Sequence, residues 1–152
     1  MKEGRSFAFE KLIVWQDARA FVTRIYLTTK RFPIEERYGL VDQLRRAAIS
    51  ISSNIAEGSS RTSAKDQAHF YQLSFSSLME VLSQILICSD LDYITEADYT
   101  SLRSDIERLS YQINQLRKSA LSKHSKPPQQ RSSQPSKPSQ QRSTKPSQPT
   151  KQ

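Results

Sequence analysis

The sequence predicts an all-α protein: an antiparallel up-and-down four-helix bundle followed by a disordered C-terminal tail. Three observations predict it. Apolar residues recur at spacings of three and four in four separate segments, the mark of helices with one buried face. Short polar connections and helix-start signals separate those segments, and short loops make consecutive helices antiparallel neighbours. Residues 123–152 hold no Leu, Ile, Val, Phe, Met, Trp or Tyr, so the folded unit is expected to span 1–122.

Residues 1–12 read as a loose arm whose Phe7 and Phe9 can pack on the bundle. Helix one is expected over about 13–31, with Val14, Ala18, Phe21 and Ile25 beside a second row of Trp15, Val22, Tyr26 and Thr29. It stops before Pro33, which disfavours helical geometry at Phe32. Helix two is expected over 34–58, opened by Pro33 and closed by Gly58. At 100° per residue its Leu40, Leu44, Ala47, Ala48, Ile51 and Ile55 share one arc, the core side. Gln43, Arg46, Ser50, Asn54 and Glu57 form a polar stripe on one flank, read as a hydrogen-bonding seam between elements. On the other flank Ala48, Ile49, Ser52 and Ala56 make a small-residue stripe that would admit another helix closely, and it is the expected oligomer interface.

Ser63 followed by Asp66 fits a capping box and places helix three over about 64–89. Its apolar residues, from Phe70 to Cys88, spread over half the circumference, wider than a helix packed on one side needs. Thr95 and Asp98 repeat the pattern before helix four, about 96–121, where Tyr99, Leu102, Ile106, Leu109, Ile113 and Leu116 alternate spacings of three and four.

These residues carry a resemblance. The run Gln-Leu-Arg-Arg-Ala-Ala-Ile-Ser-Ile-Ser-Ser-Asn-Ile-Ala-Glu-Gly at 43–58, with Leu-Ile-Val-Trp-Gln-Asp-Ala at 12–18 before it, resembles the bacterial four-helix bundle proteins encoded in intervening sequences of 23S rRNA genes. The likeness covers roughly residues 7–121. It implies an antiparallel bundle assembled as a homopentamer and no enzymatic activity. It also implies kinship with the accessory variability determinant of diversity-generating retroelements, which binds nucleic acid and a reverse transcriptase.

The formal charge of +8 is not a property of the bundle. Residues 123–152 contain seven Lys/Arg and no acid, so they hold +7 and the body only +1. The tail also repeats: Lys126-Pro-Pro-Gln-Gln-Arg-Ser recurs as Lys137-Pro-Ser-Gln-Gln-Arg-Ser, then Lys145-Pro-Ser-Gln-Pro, a composition of extended chain with polyproline character. Within the body, residues 19–65 hold nine bases and four acids, and residues 66–122 four bases and eight acids. A basic surface on the first half, from Lys30, Arg31, Arg45, Arg61 and Lys65, could meet phosphates together with Lys126, Arg131, Lys137, Arg142 and Lys145 of the tail. A solvated or ion-paired face is the open alternative for the body residues.

Other chemistry finds no support. Three glycines give no phosphate-cradling loop and no dinucleotide fingerprint. His69, His124 and Cys88 cannot make a structural zinc site, and Asp90, Asp92, Glu96 and Asp98 lack the glycine and terminal glutamate of a calcium loop. Glu57 with Asn54 and Ser50 has no histidine to complete a nucleophile–base relay. No catalytic residue, metal or cofactor is expected. A single cysteine and the absence of a charged-then-apolar leader point to a cytoplasmic setting, and no apolar run is long enough to span a membrane. The sequence therefore predicts a non-enzymatic oligomer that binds nucleic acid, with RNA the expected partner, or, alternatively, a scaffold for a protein such as a reverse transcriptase.

Overall fold

A computed structural model of the chain describes residues 6–124, which form four α-helices and no strand. A single turn of 3-10 helix, Ala8–Lys11, precedes α1, Ile13–Thr29; a second, Ile34–Tyr38, precedes α2, Leu40–Ser60. Then come α3, Ala64–Asp90, and α4, Glu96–His124. The rest of the expected disordered tail lies outside the described residues. Each helix packs on its predecessor, and α4 returns to α1, so the bundle closes as a square without diagonal pairs.

The core holds one apolar row from each helix. Phe21 and Ile25 of α1, Leu44, Ile51 and Ile55 of α2, Leu78 and Ile85 of α3, and Leu102, Ile106, Leu109 and Ile113 of α4 are almost fully enclosed. Complete burial of each such side chain contributes about 1.5–3 kcal/mol, so this row drives the collapse.

Helix starts follow the predicted signals in α3 and α4. The Ser63 hydroxyl accepts the Asp66 N–H at 3.3 Å, and Thr95 accepts that of Asp98 at 3.1 Å while donating to its carboxylate at 2.9 Å. The α3 terminus is a Schellman motif: Tyr93 N–H donates to the Cys88 carbonyl and Asp92 N–H to that of Ser89, with Asp92 in the left-handed region at φ 60°. Asp90 and Asp92 thus belong to a helix stop.

Helix two departs from expectation at both ends. Pro33 opens only the 3-10 turn, and α2 starts afresh at Leu40, because the Glu36 carboxylate accepts the Leu40 N–H at 3.2 Å and caps a new first turn. At the far end Gly58 does not close the helix, which continues to Ser60. Gly58 is instead a point of close approach: a Cβ there would lie 2.6 Å from Cε1 of the buried Tyr71 ring on α3. Ala48 is expected both on the core arc and in the interface stripe, and only the first holds. It is fully enclosed within one chain and belongs to the core, since the small stripe turns inward at that position.

A glycine-to-alanine change inside an exposed helix ordinarily stabilises by up to about 1 kcal/mol. At Gly58 the sign is expected to reverse, with Gly58→Ala destabilising by about 1–3 kcal/mol as Tyr71 is displaced. Thermal unfolding of the variant checks this, and a raised midpoint would show that the ring has room to move.

Candidate nucleic-acid interface

The seams between helices decide which charges remain free. Between α2 and α3 the polar contacts beside the apolar core are made by hydroxyls. Ser50 and Ser77 share a hydrogen bond of 2.9 Å, Asn54 donates to the Ser50 carbonyl and hydroxyl, and buried Ser74 donates to the Ile51 carbonyl at 2.9 Å. Of the predicted polar seam, then, only Ser50 bonds across to α3, and Asn54 supports it from within α2. Gln43, Arg46 and Glu57 face solvent, Arg46 paired with Asp42 at 3.2 Å and Glu57 with Arg61, both within α2 or its end. Ser74 and Ser77, the α3 half of this seam, were missed because serines on a helix read from sequence as solvent-facing.

Between α1 and α4 the seam is ionic. Arg24 bonds to Asp105 and to the Ser101 hydroxyl, Arg31 pairs with Asp98 at 2.8 Å, Arg108 meets Asp17 at 3.5 Å and Asp105 at 2.9 Å, and Gln112 donates to Asp17 at 2.8 Å. Asp105 is only 7% exposed. An open cleft of about 270 Å³ over this seam is lined by Arg24, Arg31 and Asp98, so its cations are already compensated.

The predicted phosphate-contacting residues therefore separate. Lys30, Arg31 and Arg45 lie at the end of the bundle where α1 stops and α2 begins, and Arg61 and Lys65 at the opposite end. The 16 residues from Arg45 to Arg61 correspond to about 24 Å along the helix, so the five make no single patch. Arg31 is turned to α4, and Arg61 is held by Glu57 and over the Phe70 ring at 4.5 Å. Lys65 is exposed. Lys126, Arg131, Lys137, Arg142 and Lys145 lie outside the described residues.

At the first end Lys30 and Arg45 are joined by Arg37, which the expected continuous helix two had set aside. The turn after Pro33 swings Arg37 back beside the end of α1, and these residues line a cleft of about 190 Å³ with Thr29, Phe32 and Val41. Gly39, ahead of the regular apolar spacing, was the signal of that break. Arg45 Nε donates to the Thr29 hydroxyl at 2.9 Å and its guanidinium lies 4.6 Å from the Tyr26 ring centre. Lys30, Arg37 and Arg45 have no carboxylate within ion-pair distance among the described residues.

On the α1–α2 flank Ile49 is 41% exposed, Ser52 donates to the Ile49 carbonyl, and Ala56 is half-buried. Trp15 is half-buried, its ring edge-on to Phe9 at 4.9 Å, with Arg19 over its face at 5.8 Å. Cys88 is fully enclosed, and burial, reinforced by the Glu36 charge, pushes its thiol up to about 12, which leaves it unreactive. Among the described residues no group of three His, Cys, Asp or Glu could hold a metal, and no helix is long and apolar enough to cross a membrane.

Fold and charge distribution together define a class: an antiparallel four-helix bundle with charge-separated flanks and a basic C-terminal extension. Residues 10–122 match the family described as 23S rRNA-intervening sequence protein, and the chain belongs to that family. Among solved structures it is similar to a protein of unknown function from the S23 ribosomal protein family of Bacteroides thetaiotaomicron. The two share 21% identity and a TM-score of 0.62, over 70% of this chain and 99% of that one. No curated protein matches.

Two measurements follow from the ionic seam. Removing the buried acid by Asp105→Ala strands Arg24, whose guanidinium is partly exposed, and is expected to cost about 2 kcal/mol in urea unfolding. Asp98→Asn is expected to act through pH. Hydrogen bonds from Thr95, then from Arg31, hold the Asp98 carboxyl below its ordinary value of 3.8. Its stabilisation is therefore present above pH 4 and lost as pH falls beneath that value. The variant's acid limb should be flatter; an unchanged limb would remove Asp98 from the account.

Proposed function

We propose that this protein is a non-enzymatic RNA-binding bundle whose α1–α2 side and C-terminal extension bind phosphates electrostatically. The charge partition carries the reading. Among the described residues Lys11, Arg19, Lys30, Arg37, Arg45 and Lys65, all in the first half of the chain, lack a carboxylate partner, against Arg117 and Lys118 in the second half, whereas the arginines of the α1–α4 seam are paired. Unpaired cations on one side attract a polyanion, and compensated ones do not. Residues 123–152 add seven more cations and no acid. Copies of the chain associate through the flank of Ile49, Ser52 and Ala56, repeating the basic surface around the assembly. A homopentamer is the expected number from the family.

The test is a fluorescence-polarisation titration of structured and unstructured RNA at several salt concentrations. Each phosphate contact lowers the logarithmic salt slope by about 0.7 to 0.9. Replacing the seven Lys/Arg of residues 123–152 by Gln is expected to flatten the slope and weaken binding to every sequence, while a smaller slope from the body persists. No binding by the full chain at low salt would favour instead a scaffold for a protein such as a reverse transcriptase.

A further inference from the structure

We infer that the cleft between the end of α1 and the start of α2 is a subsite for one phosphate group, with Tyr38 as a stacking platform for the attached base. The inference rests on the RNA reading only in taking that phosphate from a polymer. Three cations face the cleft, Lys30, Arg37 and Arg45, and no acidic residue lines it. Of the two acids in the turn, Glu35 and Glu36, neither lines the cleft, and Glu36 has both oxygens engaged, one by the Tyr93 hydroxyl at 3.2 Å and the other by the Leu40 N–H at 3.2 Å.

The site is also built. Arg45 is fixed from two sides, by the Thr29 hydroxyl and the Tyr26 ring, and Thr29 is itself only 3% exposed and anchored to the Ile25 carbonyl at 2.8 Å. A guanidinium held this way keeps its terminal N–H groups for an anion without losing further freedom on binding. The start of the 21-residue α2 contributes Val41 to the wall. The volume of about 190 Å³ is smaller than the usual small-molecule pocket of roughly 300 Å³ or more, so it suits a phosphate and not a whole nucleotide. The base stays outside. There Tyr38 is 87% exposed, with the Arg37 guanidinium 5.6 Å from its ring centre, an arrangement that stacks any base without reading its sequence.

Two ligands share this chemistry, an RNA backbone phosphate and a free mononucleotide. The full chain is titrated with a fluorescein-labelled ten-nucleotide oligouridylate at low salt, and separately with uridine monophosphate and uridine by calorimetry. Lys30→Gln with Arg37→Gln, both exposed and without ion pairs to lose, is compared with Arg117→Gln with Lys118→Gln on α4, which removes the same charge at the opposite end. Thermal melts verify that both variants fold. The first pair is expected to weaken oligouridylate by about tenfold or more, and the second by much less. Tyr38→Ala should weaken it by a smaller factor. Equal losses from the two pairs would overturn the subsite while leaving electrostatic RNA binding intact. Binding of uridine monophosphate but not uridine, lost in the first pair, together with no oligouridylate binding, would keep the subsite and sink the RNA reading. Binding of neither oligouridylate nor uridine monophosphate by the unaltered chain would overturn both.

Discussion

The ionic seam between α1 and α4 is the constraint on which the rest of the molecule depends. Asp17 and Arg24 on α1 and Arg31 just past its end lie seven residues apart, and Asp98, Asp105 and Gln112 lie seven apart on α4. They meet in antiparallel order, with Ser101 and Arg108 filling between them. A seven-residue repeat keeps a stripe facing one neighbour, so the two ladders stay in register along the seam. Apolar packing alone would let α1 slide against α4. A partly buried acid that must find its guanidinium does not, because displacement leaves a desolvated charge unpaired.

The same seam sets the surface charge. It consumes the bases that face α4 and leaves Arg19, Lys30, Arg37 and Arg45, on the other side of α1 and at the start of α2, without acids. Among the described residues the acids without a basic partner are Asp66, Glu80, Asp90, Asp92 and Glu96 in the second half of the bundle, against Glu10, Glu35 and Glu36 in the first. A body of nearly zero net charge is thus strongly polarised, and the extension of 123–152 adds to the cationic share. Electrostatic association depends on this local field more than on net charge. The cleft at the end of α1 brings three uncompensated cations, Lys30, Arg37 and Arg45, around one opening, and the 3-10 turn after Pro33 is what places Arg37 there.

Much of the fold was legible because it rests on periodicity. The four apolar rows, the Ser63 and Thr95 starts and the α3–α4 turn follow from local chemistry that a sequence displays directly. The misreadings have one cause: spacing places a residue on a face without saying what stands opposite. Gly58 read as a stop because glycine usually ends helices, yet its value here is the space it leaves for Tyr71, a residue 13 positions away. Gly39 was passed over although it sits where α2 restarts under the Glu36 cap. The polar stripe of α2 reaches α3 at Ser50, with Asn54 bonded to Ser50 from within α2, whereas Gln43, Arg46 and Glu57 face solvent, since a stripe of that width outruns the groove between two helices. The site was less legible still. Arg45 could be named as basic, but only the turn geometry brings Arg37 beside it and carries Arg61 and Lys65 to the far end. The heptads of charge on α1 and α4 were present in the sequence as a signal of the seam.

The central claim is that the α1–α4 seam directs RNA to the opposite side of the bundle. Photocrosslinking of a 4-thiouridine-substituted RNA to the full chain, followed by peptide mapping, tests it most directly. Crosslinks are expected within residues 26–45 and in the C-terminal extension, with few in α4. Crosslinks concentrated on residues 66–122 would contradict the account, because the RNA would then lie on the acidic side that the seam is held to exclude.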